Sequence, residues 1–109
     1  MLKKKNRATK KEIDLLFKEG KFLNSPNLTF KFINSFRFDL NKRISFIAPK
    51  SVAKLAVKRN LLRRRGYDVL KKYLDQFPVG ILGAFVFRKY QDNALIIENE
   101  IKTILTKIN

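Results

Sequence analysis

Val52-Ala-Lys-Leu-Ala-Val-Lys-Arg-Asn-Leu-Leu-Arg-Arg-Arg-Gly-Tyr67 carries two patterns at once: its apolar positions keep helical spacing, and between them fall Lys54, Lys58, Arg59, Arg63, Arg64 and Arg65. A helix of this kind can dock on a core by one stripe and hold a polyanion with the rest. The spacing predicts a helix from about Ser51, whose hydroxyl suits a cap, to about Phe77, where Pro78 forbids continuation. At about 100° per residue, Val52, Leu55, Leu62, Gly66, Val69, Leu70, Tyr73 and Phe77 share the stripe that should face a sheet. Lys58, Asn60, Arg64, Arg65, Lys71 and Lys72 project away from it. Arg59 and Arg63 fall near its edge, where their stems can lie on apolar surface while the heads reach out.

Toward the N-terminus, residues 1–8 are basic and without hydrophobic period, so Lys3, Lys4, Lys5, Asn6 and Arg7 are expected in a mobile arm that orders on a partner. Thr9 can cap a helix over 10–19 whose apolar face is Ile13, Leu16 and Phe17, with Gly20 as its stop. Asn24 to Asn27 reads as a turn, after which Leu28, Phe30 and Phe32 alternate with Thr29, Lys31 and Ile33 as in a half-buried strand. Residues 34–42 read as a loop with frayed strand ends. Ile44, Phe46 and Ala48 resume the alternation until Pro49 closes the strand. Past the long helix, the nearly all-apolar run Gly80 to Phe87 suits an inner strand. Ala94 to Ile108 returns to helical spacing, with Ile97, Ile101, Ile104, Leu105 and Ile108 inward and Glu98, Glu100, Lys102 and Lys107 outward. The order is helix, two or three strands, helix, strand, helix: an α+β fold.

At 109 residues the chain fits one domain spanning 1–109 with one core. Its 25 lysines and arginines against 9 acidic residues give a net charge of +16, an excess that repels itself in the compact state until a polyanion neutralises it. Nucleic acid is the leading partner. The absence of cysteine and histidine excludes disulfides, thiolate metal sites and the commonest general base. The start lacks the apolar core of a signal peptide and no segment is long and apolar enough for a membrane span, so a cytoplasmic location with no membrane partner is expected.

Guanidinium groups clamp phosphate oxygens in a bidentate fork and stack on bases, and asparagine adds a donor and an acceptor beside them. Arg59, Asn60, Arg63, Arg64 and Arg65 supply that set, with only Asp68 and Asp75 as acidic counterparts along the helix. Phe17, Phe22, Phe36, Phe38, Tyr67 and Tyr90 are candidates either for base stacking or for the core, whereas Phe30, Phe32 and Phe85 belong to the core by strand spacing. The dispersed carboxylates form no cluster of the kind that binds two metal ions for phosphodiester cleavage, so no catalytic residue is expected in this chain. Gly80 and Gly83 sit within an apolar strand, where close packing explains them better than a phosphate loop.

Lys5-Asn-Arg7, Phe17-Lys-Glu-Gly-Lys21, Arg43-Ile-Ser-Phe-Ile-Ala-Pro-Lys50 and Val52 to Asn60 followed by Arg63-Arg64 resemble, in order and spacing, the bacterial ribonuclease P protein component. The most specific part is Ala56-Val-x-Arg59-Asn60-x-x-Arg63-Arg64, which is similar to that family's basic signature helix. The resemblance implies a central sheet with a left-handed strand–helix–strand crossover. It also implies a protein cofactor, monomeric when free, for a ribozyme that removes the 5′ leader of precursor tRNA with magnesium held mainly by RNA. By the same resemblance Lys54, Lys58, Arg59, Asn60, Arg63, Arg64 and Arg65 face the catalytic RNA, while Phe17, Thr29, Lys31 and Lys50 belong to a leader cleft. The chain departs from the family pattern at Leu61 and Tyr67, which stand where arginines are usual, with Arg65 near enough to substitute for the second. Ile13 and Ser51 likewise replace a usual aromatic and a usual lysine. A ribosomal or other structural RNA-binding protein would share the charge and size, and an autonomous endonuclease would need the clustered carboxylates or histidine that the chain lacks.

Overall fold

The computed structural model describes residues 7–33 and 42–108. Helix α1 (Lys10–Glu19) is followed by strands β1 (Lys21–Asn24), β2 (Leu28–Ile33) and β3 (Arg43–Ile47). Helix α2 (Ala56–Tyr73) runs into one 3-10 turn at Leu74–Gln76, and strand β4 (Leu82–Phe87) and helix α3 (Ala94–Ile108) complete the order. Both ends of α1 are set locally. Glu12 N donates to Thr9 Oγ1, Thr9 N donates back to Glu12 Oε1, and Gly20 N closes the last turn on Leu16 O.

The sheet order is β1-β2-β4-β3, with β2 antiparallel to both neighbours and β3 parallel to β4. Because side chains alternate across a pleat, one face gathers Leu23, Phe30, Phe32, Phe46, Phe85 and Phe87, and α2 and α3 cover it. At its centre the Phe85 ring stacks on Phe30 at 4.3 Å and on Phe46 at 5.0 Å. Among the described residues the opposite face is covered at one end, where Leu16 of α1 packs on Leu82 and Ala84 with Ala8 beside them. The α1, β2 and α3 boundaries agree with the spacing. Strand β1 has no forerunner in the sequence reading, because it is short and only Leu23 is even half-buried.

Several expectations are corrected by tertiary contacts. Helix α2 starts at Ala56 after an uncapped Leu55, because the amides of Val52 and Ala53 already bond to Pro49 O in a separate turn. Leu55 is consequently exposed and leaves the apolar stripe. Strand β4 begins at Leu82, since Pro78 O accepts from Ile81 N in a turn whose third residue, Gly80, has φ 77°, a conformation natural to glycine. In α1, Leu15 takes part in packing on the sheet while Phe17 turns outward, and in α3 Glu100 is buried instead of solvated. Glu98 is half-buried and accepts from Tyr73 Oη at 2.6 Å, which joins α3 to α2. That hydrogen bond, with desolvation and the carboxylate's charge adding to it, raises the Tyr73 phenol pKa above its usual value.

The seating of α2 depends on Gly66. A Cβ there would lie 2.5 Å from Cδ1 and Cε1 of Phe46, whose ring is fixed between Phe85 and Tyr67 and has no room to swing. Gly66→Ala should therefore lower stability by about 2 kcal/mol in urea denaturation, despite the roughly 1 kcal/mol that alanine gains over glycine inside a helix.

Candidate nucleic-acid interface

Lys58, Asn60, Arg64 and Arg65 are exposed on α2, as the spacing predicts, Arg63, expected near the edge of the stripe, is exposed as well, and Lys54 is exposed in the segment before it. Among the described residues the only ion pair within 4.0 Å is Arg43 with Glu12, so none of these cations is neutralised by a carboxylate. Arg63 Nη2 donates to Asn60 Oδ1, which aligns the two side chains. Arg59 behaves differently. Its Nη1 donates to Ala53 O at 3.0 Å and Lys54 O at 2.7 Å, tying the preceding loop to the helix. It is half-buried and partly structural.

The first turn of α2 contains no acidic residue and no side-chain cap, yet Lys54, Lys58 and Arg59 crowd it. Cations at the positive end of a helix macrodipole raise the energy of the free protein, and no side chain caps the first turn, where Lys58 N turns back on Leu55 O. An anionic partner relieves this cost.

Beside this helix lies a concavity of about 310 Å³ lined by Arg7, Asn60, Arg63, Arg64 and Tyr67. Arg7 and Ala8, expected within the mobile arm, are instead anchored on β3. Ala8 N donates to Ser45 Oγ at 2.8 Å, and Ser45 Oγ donates to Ala8 O at 3.3 Å. Lys3, Lys4, Lys5 and Asn6 lie outside the described residues, as do Phe36 and Phe38. Tyr67, a stacking candidate by sequence, is buried and packs edge-on against Phe46. Arg7, Arg63 and Arg64 line the concavity with Tyr67, and Arg65 is exposed outside it.

The uncovered part of the other sheet face forms a second candidate surface. Phe17 is 48% exposed at the rim of α1, with Lys31 Nζ over its ring at 4.7 Å. Phe22 is 62% exposed and is the cross-strand neighbour of Lys31. Thr29 lies next along β2 and donates to Asn24 Oδ1 at 2.7 Å, and Lys50 is exposed beyond the end of β3. Phe17, Thr29 and Lys31 are thereby brought together, with Lys50 farther along the sheet. The sequence reading left Phe22 out of this group. Alternation along β1 could have found it, had the strand been recognised. Tyr90 is exposed at the far end of β4 and bonds to Asp92.

A family model described as Ribonuclease P matches residues 1–109. Among curated protein sequences no relative matches. The fold is similar to the ribonuclease P protein of Staphylococcus aureus, with TM-score 0.79 at 16% identity over 98% of this chain and 97% of that one. It is also similar to the Thermotoga maritima ribonuclease P protein, with TM-score 0.79 at 19% identity over 94% and 97%. A structure of the Thermotoga maritima protein in complex with 1-(4-fluorophenyl)-2-thiourea matches with TM-score 0.76 at 20% identity over 90% and 94%.

Proposed function

The chain belongs to the ribonuclease P protein family, which works in tRNA 5′ processing with an RNA subunit as part of an endoribonuclease complex, and on that premise we propose how its two surfaces divide the work. The α2 face binds the catalytic RNA through Lys54, Lys58, Asn60, Arg63, Arg64 and Arg65, with Arg59 holding the helix entrance. The open sheet face binds the 5′ leader of precursor tRNA through Phe17, Thr29 and Lys31, with Phe22 added and Lys50 at its end. The observation that carries this reading is the α2 cation surface, which has no carboxylate partner among the described residues.

The mechanism is positioning. Two RNAs repel each other, and a cationic subunit that touches both screens that repulsion and lowers the metal concentration needed to bring leader and catalytic core together. The described residues offer no group of three or more histidine, cysteine, aspartate or glutamate side chains that could hold a metal ion. We assign the metal and the hydrolytic chemistry to the RNA. No helix among the described residues is long and apolar enough to cross a membrane. We assign the protein to the cytoplasm, as a monomer when free.

The test is cleavage of a precursor tRNA by a bacterial ribonuclease P RNA at low magnesium, with and without the protein, beside a protein-only control. Stimulated cleavage at the mature 5′ end that requires the RNA is expected. Tight binding without stimulation would favour a structural RNA-binding role, and cleavage by protein alone would overturn the assignment of chemistry to RNA. Phe17→Ala should weaken substrates with a long leader more than leaderless tRNA, since a base stacked on an aromatic ring contributes about 1–3 kcal/mol. Equal loss for both substrates would remove Phe17 from the cleft.

A further inference from the structure

We propose that Glu12 and Arg43 form a clasp that positions the precursor-tRNA leader without touching it, by fixing the direction of α1 over the open sheet face. The inference rests on the leader reading above and adds two positioning residues to it.

The apolar hold of α1 on the sheet is slight. Leu16 is its one buried side chain, and it packs on Leu82 and Ala84 with half-buried Leu15, Ile33 and Ile47 around them. Burial of apolar surface has no directional preference, so Leu16 alone acts as a pivot on which the helix axis can swing. A second fixed point is needed one turn away. Glu12 supplies it, because residues four apart share a helix face and Glu12 therefore stands beside Leu16 on the side turned to the sheet. Its Oε1 accepts from Thr9 N at 2.8 Å and from Arg43 Nη1 at 3.3 Å, so one carboxylate both caps α1 and ties it to the first residue of β3. Arg43 is itself held, since its N donates to Ile81 O at 2.9 Å and it stands opposite Leu82 in the parallel pairing with β4. The Ala8–Ser45 hydrogen bonds lie on the same strand but fix the chain before the helix begins.

Phe17 follows the second of these points directly, and its ring meets Lys31 Nζ at 4.7 Å across the cleft. Where that ring sits over β2 depends on how α1 is aimed. The pair is suited to aiming it: the side chains of Glu12 and Arg43 are only 13% and 27% exposed, which shields the ion pair from much of the solvent screening that weakens surface pairs. A carboxylate beside a face that takes RNA is unfavourable by charge, and Arg43 matches it. Its use here is geometric.

Charge and position predict opposite signs at Glu12, and the test exploits this. By charge alone, Glu12→Gln makes the face more cationic and should tighten leader binding; as a broken clasp it should weaken it. Glutamine also serves in capping boxes, so the substitution keeps an acceptor for Thr9 N and a helical α1. The full chain is assembled with a bacterial ribonuclease P RNA, and affinity is measured for precursor tRNA with a long leader and for leaderless tRNA. Glu12→Gln should lose about fivefold on the long leader, the upper end for a partly sheltered ion pair, and nothing on leaderless tRNA. Arg43→Gln should lose at least as much, Arg43→Lys should keep most of the affinity, and the double variant Glu12→Gln with Arg43→Gln should lose no more than Arg43→Gln alone. The chain has no cysteine, so spin labels at Lys18→Cys on α1 and Lys89→Cys beyond β4, both exposed positions, report the placement of the helix directly. A narrow distance distribution that broadens in Glu12→Gln is expected. Leader binding that is unchanged or tighter in Glu12→Gln overturns the clasp, as do losses that add in the double variant, losses equal for leaderless tRNA, or an unbroadened label distance. An unsubstituted chain that binds both substrates alike would overturn the leader reading beneath it, and the positioning role with it.

Discussion

Arg63→Ala combined with Arg64→Ala should weaken binding to the catalytic RNA about 100-fold at roughly 0.1 M salt, with the urea midpoint unchanged, because a hydrogen bond to a charged group contributes about 1.5–3 kcal/mol. Both side chains are exposed and line the same pocket, while Leu62, Gly66, Tyr67, Val69 and Leu70 carry the packing of α2 on the core. Truncation therefore removes charge and donors without opening a cavity. The salt dependence should become shallower by about two contacts' worth, roughly 1.4–1.8. Lys71→Ala with Lys72→Ala removes the same charge from the last turn of α2 and is expected to cost only a few-fold, since those side chains lie outside the pocket. Equal losses for the two pairs would mean that α2 acts as a diffuse cation and not as a positioned surface. Arg59 is unsuited to the comparison. Its guanidinium holds Ala53 O and Lys54 O, so its removal would disturb the helix entrance as well as the interface.

What the sequence made legible is what local physics decides. Thr9 specifies the start of α1, and the period of Ile97, Ile101, Ile104 and Leu105 marks out α3 over Ala94–Ile108. The exposed set on α2 follows from the same period. The features that escaped depend on residues far apart in the chain. Ser45 meets Ala8 across 37 positions, which is why Arg7 reads as part of a loose arm and yet stands at the α2 pocket. Tyr67 offers a ring that suits RNA by composition, but β3, 21 positions away, takes its hydroxyl and buries it. Ser51 has the chemistry of a cap, but Pro49 closes an earlier turn and Arg59 holds the intervening carbonyls, so the helix starts five residues later. Neither Leu55 nor Phe22 could be placed on the surface without knowing those boundaries.

Glu100 is the charged residue whose position the helical period misjudged, and its replacement by alanine is expected to be the most damaging single change outside the aromatic core, at about 3 kcal/mol. The carboxylate is 7% exposed and accepts from Ser25 Oγ, from Asn27 N at 2.7 Å and from Asn27 Nδ2 at 2.6 Å, joining α3 to the β1–β2 turn. On the other side of that turn, Arg88 N donates to Asn27 O and Arg88 Nη1 to Ser25 O. Removing the carboxylate leaves the two Asn27 donors facing a cavity, while the Ser25 hydroxyl can still donate to Leu28 O at 3.1 Å. Their separate costs would sum to more than about 3 kcal/mol if both stayed dry, but Asn27 is only half-buried and water can reach part of the site. Glu100→Gln keeps the shape but sets one donor amide against another, and is expected to lose about half as much. The two variants are compared by urea denaturation, with hydrogen exchange reporting where the structure opens. Because β1 is an edge strand and its turn is the part released, exchange should rise first at Lys21–Asn24, the strand that carries Phe22 and Asn24. Leader binding should then weaken more than binding to the catalytic RNA, since α2 rests on β3 at the opposite edge of the sheet. Equal weakening of both would show that the two surfaces are not mechanically separate, and an unchanged midpoint would remove Glu100 from the structural role its three donors imply.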